Sequence, residues 1–240
     1  PNFTSLDQLM DQARILNVYL KRKVRDIAQI CNGLFLAEIR EGGRCKRKFL
    51  KFRDDTTESV VWIFADVKPH ERALEKLIRS YDCDVSRLID CCRQTIVFES
   101  VSDVQACLNA LKTDREIELV RVKNRMSNRA DTRTNGGFRH IVLNLRVKSM
   151  DTIRLAVDNH ICEIQLILED FANLLTDEMR DRYRVVRNCR DGPSLWRDVG
   201  YLIPRFMKGN FVSSARNCQS CQCLQNPPLA ATGHHLYVQN

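Results

Sequence analysis

Aromatic residues are scarce in this sequence: Phe, Trp and Tyr together fill 7% of its 240 positions. A core drawn from such a chain rests on Leu, Ile and Val rather than on stacked rings. Nine glycines and six prolines are too few for a collagen-like or low-complexity chain. No window approaches the roughly 18 consecutive apolar residues that a bilayer-crossing helix needs, so no membrane span is predicted. A disulfide framework is missing too. The eleven cysteines are odd in number, and Cys31, Cys91, Cys92, Cys107 and Cys162 sit in apolar stretches, where they read as small buried hydrophobes. That usage predicts an intracellular reducing compartment, either the cytoplasm or the matrix side of a mitochondrion or plastid.

What is present is ordinary globular material, 44% apolar and 28% charged, enough for one large domain or one domain with tails. The 38 Lys and Arg outnumber 30 Asp and Glu, for a net charge of +8. Such an excess suits a phosphate-bearing partner, nucleotide, nucleic acid or anionic lipid, and equally a basic subunit of a large or organellar assembly. The cations cluster at Lys21, Arg22, Lys23 and Arg25, and again at Arg44, Lys46, Arg47, Lys48, Lys51 and Arg53.

Apolar residues at Leu6, Leu9, Ala13, Leu16, Leu20, Val24, Ile27 and Cys31 recur in steps of three and four. They predict a long amphipathic helix, capped by Ser5 or Thr4 and stopped at Asn32-Gly33. Residues 41–58 are polar and charged and read as a basic, ligand-facing loop. Beyond them the spacing predicts a buried strand at 60–64, a helix at 69–81 and a strand at 94–99. A helix follows at 101–112, then strands at 116–123, 138–147 and 160–167, a helix over 169–188 and a weaker one at 194–203. The predicted fold is α+β: a mixed sheet of about five strands with helices packed on it, plus the N-terminal helix. The predicted segments are an N-terminal helix and basic loop over 1–58, a domain over 59–190 and a partly irregular extension over 191–240.

Candidate chemistry falls at a few places. Strand alternation sets Arg121, Lys123 and Arg125 on one face, where they repel one another unless an anion or carboxylates stand opposite. Asn135-Gly136-Gly137 leads into Phe138, whose ring could stack on a base, or simply pack after a tight turn. Glu163, with Gln165 on the same face, and Asp90 are acids in apolar settings, and a carboxylate there needs a cation. Two such acids converging would hold Mg²⁺; the alternatives are ion pairs Asp90–Arg93 and Glu163–Lys123. Near the C-terminus, Cys218, Cys221 and Cys223 with His234 and His235 are too crowded for an ordinary zinc site and read as a loose tail.

In order and spacing, the segment from Val60 to Arg190 resembles the RelA/SpoT-like (p)ppGpp synthetase domain, a nucleotidyltransferase-type fold, and its divergent eukaryotic branch. The resemblance is carried by Lys68 through Lys76, Asp90, Val122-Lys123-Asn124-Arg125, Gly137-Phe138-Arg139 and Glu163-Ile164-Gln165. It implies transfer of pyrophosphate from ATP to the 3′-hydroxyl of GDP or GTP. It gives Asp90 and Glu163 the catalytic and Mg²⁺-binding roles, and Phe138 the stacking on guanine. Lys68, Lys76, Arg121, Lys123, Arg125 and Gln165 would line the nucleotide site. Asp66 stands where the family has its ATP-clamping Arg, Thr95 where it has a strand Arg, and Met179-Arg180 where it has Gly and His. These departures predict a degenerate, catalytically impaired member serving as a binding or structural subunit with protein partners. The alternatives are an active Mg²⁺-dependent pyrophosphokinase and an RNA-binding protein.

Overall fold

In this computed structural model the described residues are 5–41, 44–53, 59–130, 137–176 and 178–181. Asp54–Glu58, Asn135, Gly136, the predicted helix at 194–203 and the Cys/His tail lie outside them. All the elements below belong to one compact unit ending at Asp177.

The first helix, α1 (Leu6–Ile30), forms as its spacing predicts. The Ser5 hydroxyl accepts from the Gln8 N–H at its start, and Leu9, Ala13, Leu16, Leu20, Val24 and Ile27 are buried. Asn32 turns the chain out with a φ of 53°. Gly33 then passes so close to the helix that a Cβ there would stand 2.7 Å from both Ala28 Cβ and Ile96 Cγ2.

The sheet holds seven strands rather than about five. Its strands are β1 (Leu34–Glu41), β2 (Arg44–Lys51), β3 (Val60–Ile63), β4 (Arg93–Phe98), β5 (Ile117–Asn124), β6 (Ile141–Val147) and β7 (Cys162–Leu168). The order is β2-β1-β4-β7-β6-β5, with β3 also paired to β1. Only β4 and β7 run parallel. The two additional strands are the β1–β2 hairpin, and β2 takes up the basic run of the predicted loop. An edge strand exposed on both sides needs no alternation of apolar residues, so the run Arg-Cys-Lys-Arg-Lys carries no strand period. Hairpin and first helix thus build into the same sheet and core as the later strands.

Of the helices, α2 (His70–Ser80) and α3 (Val101–Thr113) match expectation, and a short α4 (Met150–Arg154) precedes β7. The helix predicted over 169–188 is interrupted at 174–176; residues 178–181 are helical again, and 182–188 lie outside the described residues. α5 (Glu169–Asn173) stops after one turn, where Phe171, Ala172 and Leu175 have covered Leu34, Val97 and Ile167.

The two faces of the sheet differ. On one, Ile96, Phe98, Leu143, Leu145, Ile164 and Leu166 meet α1 and α3 in the main core. A buried amide pair fixes how α1 lies there: Gln94 Nε2 donates to Asn17 Oδ1 at 2.9 Å and to the Ala65 carbonyl at 2.8 Å. Lys23 adds a second tie, reaching Asp114 at 3.0 Å and Glu116 at 2.7 Å. The opposite face carries Arg93, Thr95, Glu163, Gln165 and the odd-numbered residues of β5 after its bulge. Its middle is withdrawn from water, with Asn144, Val142 and Glu163 buried, while Arg93 and the β5 cations are exposed; among the described residues α5 covers its far corner.

Candidate nucleotide site

Two charged regions flank the start of the β4–β7 pair. The first is assembled from a loop, a helix and a bend. The Lys68 N–H donates to the Cys91 carbonyl at 2.9 Å, which lays the segment after β3 along the approach to β4. Helix α2 turns Ala73 and Leu77 inward and carries Lys76 alongside them. Both ammonium groups then converge on one oxygen of Asp90, Lys68 Nζ at 2.5 Å and Lys76 Nζ at 2.8 Å from Oδ2. All three side chains are largely withdrawn from water, with Asp90 13% exposed. Burial opposes ionisation of Asp90, but the two lysines outweigh it and hold the carboxyl down at about 2. The same burial pulls the Lys68 pKa down despite Asp90, whereas for Lys76 the pull of Asp90 and the Tyr81 hydroxyl overcomes burial and raises it. Asp90 Oδ1 is buried without a hydrogen-bond partner.

The second region follows from strand register. Arg93 stands beside Glu163, Glu163 beside Asn144, and Asn144 beside Arg121, a polar row across four strands on the open face. The next row is Thr95, Gln165, Val142 and Lys123. Arg121 Nε donates to Asn144 Oδ1 at 3.0 Å, and Gln165 Nε2 donates to Glu163 Oε1 at 2.6 Å. Arg125 lies 3.5 Å from the ring nitrogen of His140. Burial, then Arg125, Arg93 and Lys123, push the His140 pKa down to about 4. Arg125, partial burial and Arg121 likewise lower that of Lys123. Four cations, Arg93, Arg121, Lys123 and Arg125, thus share this face with Glu163, whereas the other carboxylate that the β5–β6 register places on it, Glu118, is taken up by Arg146 at 2.7 Å and by Lys148. A region so biased favours an anion with several charges.

Sequence reasoning placed Arg121, Lys123 and Arg125 on one face, and the register does so. It put Glu163 and Gln165 together, and they are hydrogen-bonded. Both proposed ion pairs are corrected. Among the described residues Asp90 meets Lys68 and Lys76 rather than Arg93, and Glu163 meets Gln165 rather than Lys123. The reason is tertiary: α2 delivers its lysine from 14 residues upstream of Asp90, and Gln165 is nearer to Glu163 than the edge strand is. Phe138 is half-buried in the turn into β6, after Gly137 at a φ of 83°. The two acids are linked through the backbone, where the Glu163 N–H donates to the Cys92 carbonyl at 2.9 Å. Their carboxylates face separate partners.

Two residues went unnamed as site members. Arg93 opens β4 on the exposed side, and Asn144 is the lone amide in the apolar run Ile-Val-Leu-Asn-Leu. That break in an otherwise apolar strand is the signal that marks it. Its Nδ2 is buried without a partner.

No group of three or more His, Cys, Asp or Glu side chains gathers as a metal cage among the described residues. The donor chemistry still fits Mg²⁺ in part, since Asp90 Oδ1 is a buried oxygen lacking a donor and Mg²⁺ is commonly held by one or two carboxylates plus phosphates. Asp66, two residues before Lys68, is 90% exposed and lies 3.1 Å from Lys21 of α1.

No family model and no curated protein matches the chain. Solved structures do. Small alarmone synthetase 2 from Bacillus subtilis is 16% identical over 91% of this chain and 94% of its own, with a TM-score of 0.48. A GTP pyrophosphokinase family protein from Streptococcus pneumoniae is 17% identical over 93% of this chain and 100% of its own, with a TM-score of 0.45. Small alarmone synthetase 1 from Bacillus subtilis, bound to its product pppGpp, is 19% identical over 50% of this chain, with a TM-score of 0.40. In that last match the chain spans 61% of the synthetase's length.

Proposed function

We propose that this chain is a degenerate RelA/SpoT-like protein that holds the phosphates of a purine nucleotide on the open face of its sheet without transferring pyrophosphate. On this reading it acts as a binding or structural subunit alongside other proteins. The observation that carries the binding is the cluster of Arg93, Arg121, Lys123 and Arg125 around Glu163, in which positive charge exceeds counter-charge. Two features support impairment. Lys68 and Lys76 are both engaged by Asp90 Oδ2, so neither is free to meet a triphosphate unless Asp90 releases it. Asp66 sets a carboxylate where the resemblance gives a donor-clamping Arg. By analogy with a lost oxyanion donor, one missing clamp of this kind costs roughly 10²–10³ in rate.

A second reading is favoured by Asp90 Oδ1. With Mg²⁺ held by that oxygen and Glu163, the cation would neutralise phosphate charge and release Lys68 and Lys76 toward the nucleotide. The chain would then be an active pyrophosphokinase using ATP and GDP or GTP.

Calorimetric titration with ATP, GDP and GTP, with and without Mg²⁺, run beside chromatographic detection of AMP, separates the two. Impairment predicts binding that weakens at least tenfold in the double substitution Lys123→Ala and Arg125→Ala, with no AMP formed. AMP production that disappears in Glu163→Gln would establish the second reading instead. Absence of any nucleotide binding would overturn both.

A further inference from the structure

The edge strand β2 carries a charge pattern that the nucleotide site does not use. Its register against β1 sorts its side chains into two rows. Cys45, Arg47, Phe49 and Lys51 share a side with Arg40, Glu38, Leu36 and Leu34, whereas Arg44, Lys46, Lys48 and Leu50 share the other with Ile39, Ala37 and Phe35, Arg44 being paired in register with Glu41. The first row is internally balanced. Arg47 and Arg40 both turn to Glu38 at 3.5 Å, and Lys51 reaches Glu99 at 3.3 Å. The second row is not. Arg44, Lys46 and Lys48 are exposed and make no ion pair or hydrogen bond among the described residues. The side chains opposite Lys46 and Lys48 are Ile39 and Ala37, which offer no charge.

Residues two apart on a strand repeat at about 6.7 Å, so this row is a straight line of three positive charges spanning about 13 Å. Like charges held in a line are tolerated at low dielectric cost only while water or an anion screens them. A linear polyanion with a similar charge repeat meets all three at once, and the backbone of an extended nucleic-acid strand is such a polymer. The row has no protruding apolar side chain to enter a bilayer, since Leu50 at its end is half-buried. That favours a phosphodiester chain over a lipid surface.

We infer that the outer row of β2, Arg44, Lys46 and Lys48, is a docking surface for the phosphate backbone of a single-stranded nucleic acid, separate from the open-face nucleotide site. Fluorescence anisotropy with labelled 20-mers of oligo(U) and oligo(dT), on the full chain over a salt series, tests it. The logarithm of affinity falls against the logarithm of salt with a slope of about 0.7 per phosphate neutralised on a single strand. Substituting Arg44, Lys46 and Lys48 together by Ala should reduce the slope by about 2 and weaken binding at least tenfold, with an unchanged circular dichroism spectrum. The charge-keeping set Arg44→Lys, Lys46→Arg and Lys48→Arg should retain both, which separates charge from fold. Binding of oligo(U) alone would mark RNA as the ligand, and equal binding of both oligomers a sugar-independent grip. The inference fails if neither oligomer binds or if the triple Ala variant keeps its slope. It also fails if the slope is lost instead in the Lys123→Ala and Arg125→Ala double variant, or if phosphatidylserine vesicles bind and the oligomers do not. Glu163→Gln should leave oligomer binding unchanged, so this surface stands or falls independently of the nucleotide site.

Discussion

The two charged regions at the start of β4 and β7 contain the same residue types but differ in how their charge is met. Around Asp90, two lysines and one acid satisfy each other in a pocket nearly closed to water. Around Glu163, which is itself buried, four mostly exposed cations crowd one acid, and their mutual repulsion shows in the lowered pKa of Lys123. The first region stabilises the fold in its present state. The second is electrostatically incomplete, and incompleteness of that kind is what a multiply charged anion relieves.

The contrast is broken most severely at Asp90. Asp90→Asn leaves two partly desolvated ammonium groups without a counter-charge, and a broken buried pair costs about 3–5 kcal/mol. Urea unfolding should show that loss. Glu163→Gln keeps an oxygen to accept from Gln165 Nε2 and leaves cations that are mostly exposed to screening water, so it should show far less.

Acid sharpens the comparison, because the two regions titrate in different windows. His140 and the deeply buried His160 have folded pKa values of about 4, against 6.5 for a free histidine. The unfolded chain therefore takes up protons first, and stability falls as pH drops from about 6.5 to 4, by on the order of 3 kcal/mol for each ring at the limit. Asp90 is the reverse type of group. Its folded pKa of about 2 lies below the ordinary 3.8, so its contribution is complete above about pH 4 and is lost between there and 2. That loss is on the order of 2 kcal/mol. Thermal unfolding across this range should descend in two stages. His140→Phe should reduce the upper stage by about half, His160 supplying the rest, and leave the lower one in place, and a bound phosphate beside Arg125 should raise the His140 pKa in an NMR titration.

The smallest effect on stability is expected at Lys123. Lys123→Gln removes repulsion from Arg125 and Arg121, so stability should hold within about 0.5 kcal/mol or rise. Nucleotide affinity should nevertheless fall. A loss of stability comparable to that of Asp90→Asn would mean the open face is as closed a system as the first.

Much of the architecture was legible because its residues obey one period or the other. α1 announces itself through leucines at helical spacing, and β4, β6 and β7 through β-branched runs bounded by turn residues. The β1–β2 hairpin was hidden because β2 is solvated on both sides and its cations show no alternation. Of the candidate site, the shared face of Arg121, Lys123 and Arg125 follows from strand geometry alone. The partners of Asp90 do not, since nothing local tells that α2 will swing Lys76 onto it while the backbone of Cys91 draws Lys68 to the same oxygen. Asn144 needed only closer attention to an amide interrupting an apolar strand.

The amide pair between Asn17 and Gln94 bears on how the chain can be taken apart. A fragment begun beyond the first helix would bare a wall of leucine and isoleucine to water and leave the glutamine only its ties to Ala65, so it could not serve as a minimal domain. A cut in the turn at Asn32 would part the backbone and leave both pieces clasped, and only a denaturant would pull them asunder. Any protein that grips this N-terminal segment must therefore do so from its watered side, as one takes hold of a beam already mortared into the building.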